Sequence, residues 1–393
     1  MTVRRTKRGA ERSPLAGARA DVLVCGASFA GLAVARELAG SGADVLVLDR
    51  YEVGERATSA CAAPTPWLHA MGVEASIRSE LPYMRFTTPH GSVRYRLPWS
   101  WSAFDYRALC ELLAAQSDAR FDTAKVERRT SSGVMTDRGE VRAPLVVDAL
   151  GWRRVLGKPG YQPPDAPLSR GLEVHPPHGG GGDELHCWVD RSLVRRGYGW
   201  HVPAGDEVRI GVGSYDPRRH VKEATVALAE REAGSAVRFQ GNWFPHRLRP
   251  AADGGTFFAG DSAGHCFPLS GEGIRTAFYF GTAAGREIRA VLSGEKPRDG
   301  ALRDYAAFSA AHAPAFRRAL RLQRLVPALP PRALALGLRA FQPFVDRAFT
   351  WYLAQAHPAT ITGPSCRSIP PTSATTTAAS SPSSSRTGAP ARS

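Results

Sequence analysis

The segment just past the N-terminal leader constrains the fold more than any other. Asp21-Val-Leu-Val-Cys25 is a short apolar run that passes directly into Gly26-Ala-Ser28-Phe-Ala-Gly31. The next stretch carries Leu32, Ala33, Arg36 and Leu38 at helical spacing over 29–39, and Gly40 and Gly42 close it. A second apolar run, Asp44-Val-Leu-Val-Leu-Asp49, follows. Strand, tight turn, helix and strand make a βαβ unit, and such short apolar strands suit a parallel sheet covered on both faces. The turn is the G-x-G-x-x-G pattern with serine at its second glycine. Gly26 permits the tight turn, Gly31 lets helix and strand pack closely, and Ser28 adds only a small side chain where backbone approaches a pyrophosphate. Asp49, 23 residues after Gly26, ends the second strand, where a carboxylate accepts hydrogen bonds from a ribose. Arg50 is placed beside it in the cofactor-binding set. Together these features point to a dinucleotide.

A second signal lies far along the chain. Thr256-Phe-Phe-Ala-Gly260-Asp261 is an apolar strand ending in an aspartate, and His265-Cys-Phe-Pro268-Leu-Ser-Gly271-Glu-Gly273-Ile274 leads into a helix. An aspartate there can hold a ribityl hydroxyl, and helix-terminal amides can bind the polar edge of an isoalloxazine. Pro268, Gly271 and Gly273 allow backbone to approach a planar ring. FAD is the dinucleotide that both signals suit.

The intervening pattern differs. Residues 83–104 alternate apolar and polar, as antiparallel strands do; a helix is expected at 105–116 and a buried strand at 141–148. Residues 170–244 read as further antiparallel sheet with a helix near 219–233 and a glycine turn at Gly179–Gly182. Residues 301–356 read as helical. The expected fold is α/β: a Rossmann-type FAD-binding domain (20–75, 105–160 and 245–300) interrupted by an antiparallel β-sheet substrate domain (76–104 and 161–244). A helical cap follows at 301–358. A basic leader (1–19) and a Ser/Thr/Pro-rich tail (359–393) are expected to be disordered, because their composition cannot offset chain entropy.

The N-terminal turn, the Gly260-Asp-x-Ala-Gly-x-x-x-Pro268-x-Ser-Gly271-Glu-Gly273-Ile274 segment and Asp148-Ala-Leu-Gly151 resemble the geranylgeranyl reductase family of FAD oxidoreductases, which share the shape of para-hydroxybenzoate hydroxylase. Tyr198-Gly-Trp200-His-Val-Pro203 looks like the family's PxxYxWxFP substrate-cavity motif, with Arg195 at its first Pro and Val202 at its Phe. The resemblance covers about residues 20–300. It implies FAD bound at Gly26, Ser28, Gly31, Asp49 and Arg50, with Arg107, Asp148, Gly151, Gly260, Asp261, Pro268, Gly271, Gly273 and Ile274 completing the cofactor set. It further implies hydride delivery to a carbon–carbon double bond of an isoprenoid or similar hydrophobic substrate, beside Tyr198 and Trp200. Cys61 falls where the family often places a cysteine near the flavin, and is as readily a small buried residue. NAD(P)H or a protein electron donor supplies the electrons.

The alternative is a flavin monooxygenase, although Gly271-Glu-Gly273-Ile274-Arg275 replaces the G-x-N helix start usual in hydroxylases of this shape. A halogenase needs a lysine ahead of the substrate sheet, and none lies between Lys7 and Lys125. The formal charge of +15 first suggests nucleic acid, but residues 21–300 carry only +1. The excess sits on the leader, the tail and the 301–360 helices, so no nucleic-acid partner is expected. The six cysteines include no CxxC pair, so neither a zinc cluster nor a disulfide scaffold is expected. There is no apolar run of ~20 residues. The chain is expected in the cytoplasm, with 301–358 touching the inner face of a membrane.

Overall fold

A computed structural model describes residues 12–57, 60–157 and 167–361. Most of the expected leader, the tail from 362 and the junction at 158–166 lie outside the described residues.

A six-stranded sheet runs in the order Ala252–Asp253, Thr256–Phe258, Leu145–Asp148, Val22–Cys25, Val45–Asp49, Arg120–Thr123. Its inner pairs are parallel and aligned: Val24 lies opposite Val47 on one side and Val147 on the other. Val22, Leu23, Val24 and Cys25 are all fully buried, as a central parallel strand requires. The Phe29–Leu38 helix packs tightly on the Ile274–Leu292 helix. A Cβ at Gly281 would stand 2.6 Å from the Ala30 carbonyl oxygen, so the two backbones approach closer than alanine would allow.

The expected strand at 141–148 is two strands. Gly139–Arg142 joins a separate four-stranded sheet with Gly133–Thr136 and Val126–Arg129, while Leu145–Asp148 enters the parallel sheet. Pro144, which has no N–H to give a ladder, marks the break. Ala18–Arg19, expected in a disordered leader, pairs parallel with Val141–Arg142 in that small sheet. Backbone hydrogen bonds from Leu15 and Gly17 to Arg138 and Glu140 hold it there.

The large sheet has eight strands, from Gln240–Pro245 through Leu168–Val174, Glu207–Ser214, Gly197–Ala204, Glu184–Trp188, Ile77–Thr88 and Gly91–Phe104 to Ala62–Pro64. It is mixed rather than purely antiparallel, because Glu184–Trp188 runs parallel to Ile77–Thr88, with Leu185 opposite Met84. The chain leaves after Gly91–Phe104, builds part of the other sheet and returns, so the hairpin rule does not apply to this pair. Ala62–Pro64, expected among the cofactor-binding segments, closes this sheet's edge instead. One face, with Val174, Val208, Ile210 and Val212, is covered by the Lys222–Ala233 helix. The other face meets the C-terminal helices Pro331–Phe341 and Val345–Ala354 and the loop at 267–273, while Arg298–Ala311 packs on the Ile274–Leu292 helix and the Thr256–Phe258 strand and Ala313–Leu325 follows it.

Candidate functional site

The site begins at the turn after the Val22–Cys25 strand. Gly26 has φ +111°, and a Cβ there would lie 2.3 Å from the Ala149 carbonyl oxygen. At Gly31 it would lie 1.8 Å from the Gly26 carbonyl oxygen, so both positions exclude side chains. Asp49 accepts from the Ala27 amide at 2.9 Å through Oδ2 and from the Tyr51 amide at 3.0 Å through Oδ1. Its carboxylate thus braces the turn from the neighbouring strand tip. Arg50 is exposed there, its guanidinium 5.3 Å from the Tyr51 ring. Ser28 stands at the N-terminus of the Phe29–Leu38 helix without capping it; its Oγ accepts from Tyr106 Oη at 3.1 Å instead. Among the described residues the first amides of that helix are therefore left without a side-chain partner. Arg107, the next residue after Tyr106, forms no ion pair or hydrogen bond among the described residues. Its backbone packs against Gly54, where a Cβ would stand 2.9 Å from the Arg107 Cα.

Asp148 corrects the sequence reading. It is fully buried, and Oδ1 accepts from the Leu150 amide and Ser262 Oγ while Oδ2 accepts from the Leu156 amide. It shapes the loop after its strand rather than facing a ligand. Gly151 on that loop has φ +81° and only open space beyond its Cα. Gly260, with φ +63°, turns the chain close over Ala30.

Asp261 is different from Asp148. No side-chain hydrogen bond reaches its carboxylate among the described residues. Burial pushes its pKa up to about 6, and Arg249 opposes only part of that. A half-buried carboxylate without a donor is costly, and a ligand hydroxyl would relieve it. A Cβ at Gly273 would lie 3.6 Å from its Oδ1, so the start of the next helix stands directly beside the carboxylate. Gly273 also begins the Ile274–Leu292 helix with no side-chain cap, leaving the amides of the first turn without a side-chain partner among the described residues, with Ile274 buried beneath them.

Between these lies the loop Phe267–Glu272. Pro268 leads into Leu269, a non-glycine residue at φ +73°, a conformation that costs ~1–2 kcal/mol. Side chains from three distant segments hold it. Tyr198 donates to the Ser270 carbonyl, Tyr215 donates to the Leu269 carbonyl at 2.6 Å, and Gln323 accepts from the Leu269 amide at 2.8 Å. Tyr352 meets Ser270 Oγ at 2.7 Å and donates to Glu272. Glu272 and Arg275 form a fully buried two-point ion pair, 2.7 Å at each contact. Arg275 also donates to the Leu353 and Ala356 carbonyls, tying the last helix to the loop. Gly271, φ +68°, lies under Tyr198 and Phe244.

Of the expected cavity pair, Tyr198 has a further duty at the loop. Tyr198 is a clamp on the loop. Trp200 lies flat on strands kept bare by glycine: a Cβ at Gly211 would fall 2.2 Å from its ring. Its Nε1 donates to Glu173 at 3.0 Å. Cys61 sits at φ +51°, with its carbonyl accepting from the Phe104 amide and from the buried Arg209 guanidinium at 2.9 Å. Burial pushes its thiol up to about 12, so it is neutral. His265 stacks on Phe280 and bonds Ser309, inside the core between helices.

Sequence reasoning missed Tyr215, Gln323, Tyr352, Arg209 and the Glu272–Arg275 pair. Only the pair carried a signal, opposite charges three apart at a helix start. The Gly171, Gly211 and Gly213 bed was also legible as alternating glycine on one strand face.

These elements fit FAD by their own chemistry: two uncapped helix N-termini, glycines that admit no Cβ at the Gly26–Gly31 turn, and a half-buried carboxylate that wants a hydroxyl. The fold is that of FAD-dependent oxidoreductases. The chain matches a geranylgeranyl bacteriochlorophyll reductase-like structure from Thermoplasma acidophilum with TM-score 0.73, 17% identity and coverage of 88% of this chain and 98% of that one. It matches PqsL of Pseudomonas aeruginosa, described as a probable FAD-dependent monooxygenase, with TM-score 0.60, 17% identity and coverage of 81% and 98%. In sequence it is 26% identical over 314 residues to digeranylgeranylglycerophospholipid reductase 1 of Methanothermobacter thermautotrophicus, covering 70% of this chain and 78% of that one. It is 32% identical over 124 residues to geranylgeranyl diphosphate reductase of Rhodobacter capsulatus, covering 30% of this chain and 32% of that protein. No protein-family model matches. The resemblance to the geranylgeranyl reductases that the motifs carry therefore extends over most of the chain.

Proposed function

We propose that this chain is an FAD-dependent oxidoreductase that reduces carbon–carbon double bonds of an isoprenoid or similar hydrophobic substrate. The observation that carries the reading is the unpartnered Asp261 carboxylate beside the clamped Phe267–Glu272 loop, in a chain aligned over 314 residues with a geranylgeranyl-lipid reductase. Bound FAD supplies the hydride, and NAD(P)H or a protein donor reloads it. The Gly26–Gly31 turn, with Asp49, Arg50 and Arg107, holds the adenine and pyrophosphate end. Asp261, Gly151, Pro268, Gly271, Gly273 and Ile274 hold the flavin end. Trp200 and the Phe86, Met84 and Cys187 side chains on the same sheet face line an apolar wall for the substrate. Cys61 stands as a neutral thiol that would have a proton to give to a substrate carbon, and burial makes it a weaker acid than a free cysteine. A monooxygenase is the second reading, favoured by the polar Glu173, Gln240 and Asn242 on the sheet face that carries Trp200.

Reconstitution with FAD and anaerobic photoreduction, followed by geranylgeranyl diphosphate, separates the two. The reductase reoxidises without air and yields a product heavier by two hydrogens per bond. Reoxidation only in air, with oxygen in the product, selects the monooxygenase. Failure to retain FAD removes both.

A further inference from the structure

The C-terminal helices present an outer surface that the site does not use. Five of the seven large apolar side chains exposed among the described residues fall within 322–351: Leu322, Leu325, Leu336, Phe344 and Trp351. Their helices turn other residues inward. Phe316 and Ala319 are buried on the first, Ala335 on the second, and Val345 and Leu353 on the third. Tyr95 donates to the Leu338 carbonyl, which fixes the second helix against the sheet. The outward faces are therefore set by packing and are not frayed ends.

The same faces are cationic. Arg317, Arg318, Arg321 and Arg324 are exposed on Ala313–Leu325, Arg332 and Arg339 on the next helix, and Arg347 on the last. None of the seven makes an ion pair or hydrogen bond among the described residues. Elsewhere arginines are commonly matched, as Arg85 is by Glu184, Arg94 by Asp183 and Arg120 by Asp44. From 305 to 361 the single acid is Asp346. Unpaired cations interleaved with exposed Leu, Phe and Trp are the chemistry of a surface that lies in a lipid headgroup layer. A polyanion such as nucleic acid would use the arginines and leave the apolar side chains unexplained. Among the described residues no helix is long and apolar enough to cross a membrane.

We propose that residues 313–354 dock this chain onto the surface of an anionic phospholipid bilayer, with the exposed leucines, Phe344 and Trp351 entering the headgroup layer. The inference does not depend on the cofactor or the reaction. It is tested on the full chain by co-sedimentation with vesicles of phosphatidylcholine alone or mixed with phosphatidylglycerol. Binding to the anionic vesicles is expected to be at least about tenfold tighter and to weaken with salt. Replacing Arg317, Arg318, Arg321 and Arg324 by Gln should lower it on the order of 100-fold. Leu336→Ser with Phe344→Ser and Trp351→Ser should lower it further at high salt, where charge is screened. All are exposed, so an unchanged far-ultraviolet dichroism spectrum and thermal-unfolding midpoint serve as the check that each variant folds. Equal binding to both vesicle types overturns the proposal. So does wild-type binding by the arginine variant, which would assign it to the basic termini. Wild-type binding by the apolar variant, or equal affinity for duplex DNA, would make the surface a general polyanion site and overturn it too.

Discussion

The two ends of the candidate cofactor site are held in opposite ways. At the Gly26–Gly31 turn most of the geometry is set between neighbours in sequence: Gly31 admits no Cβ against the Gly26 carbonyl, and Asp49 is bonded to the Ala27 amide, while one distant carbonyl, that of Ala149, closes on Gly26. At Phe267–Glu272 the backbone is strained at Leu269 and is held by Tyr198, Tyr215, Gln323 and Tyr352. The first end is chiefly a local device, with Ala149 and Tyr106 as its contacts from distant segments. The second exists only when the large sheet, the loop and the C-terminal helices have met. It follows that damage at the first should remove cofactor binding while leaving the rest of the fold, whereas damage at the second should spread.

Several variants put that contrast at risk. The largest effect is expected for Gly31→Val, whose side chain would collide with the Gly26 carbonyl. FAD absorbance should be lost, with retention down at least about 100-fold, while far-ultraviolet dichroism stays near wild type. Global unfolding would show that the turn is less local than argued. Next is Arg275→Met, which leaves Glu272 buried without its partner. A loss of about 3–5 kcal/mol in denaturant unfolding is expected, together with release of the last helix seen as new proteolysis near 353–356. A loss under about 1 kcal/mol would mean that the pair does not join the two segments.

Asp261→Asn separates function from stability. The folded-state pKa of Asp261 is raised, so protonation stabilises the apo fold. That stability is full below the unfolded value near 4 and is lost as pH rises through about 6. The apo variant should therefore be more stable than wild type at pH 7–8 by up to about 2 kcal/mol, with the gap closing below pH 4. FAD should bind it more weakly. Equal stability at all pH values would mean that the carboxylate already has a partner. The smallest effect is for Tyr198→Phe and Tyr215→Phe, about 1 kcal/mol each. Because both act on one strained turn, the double variant should depart from additivity in a thermal-unfolding cycle. Strict additivity would show that the loop keeps its shape without them.

The βαβ start, its turn, Asp49 and the Gly260-Asp261 motif were legible because each is a local pattern with a backbone reason. The eight-stranded sheet was legible as alternation but not as topology. The parallel pairing of Leu185 with Met84 joins segments about 100 positions apart, and no local period encodes it. Pro144 was visible, but its division of residues 141–148 between two sheets followed only from where each half found a partner. Asp148 and Asp261 show the same limit at the site. Both are aspartates at the ends of apolar strands, and sequence gave them the same role. Among the described residues three donors surround Asp148 and none Asp261, and that difference makes Asp148 a brace and leaves Asp261 open for the proposed ligand.

The amino-acid sequence by itself determined the places where backbone must turn tightly or come close, because glycine, proline and apolar periodicity act over a few residues. It determined the nucleotide turn, the second glycine-rich loop and the helical C-terminal region. Only the tertiary structure decided which polar groups are satisfied: Tyr198 as a clamp, Cys61 pinned by Arg209, Glu272 locked to Arg275, and the outer arginines left without partners. Hydrogen bonds and desolvation depend on what surrounds a group in space, and chain order does not specify that until the sheets and helices have packed.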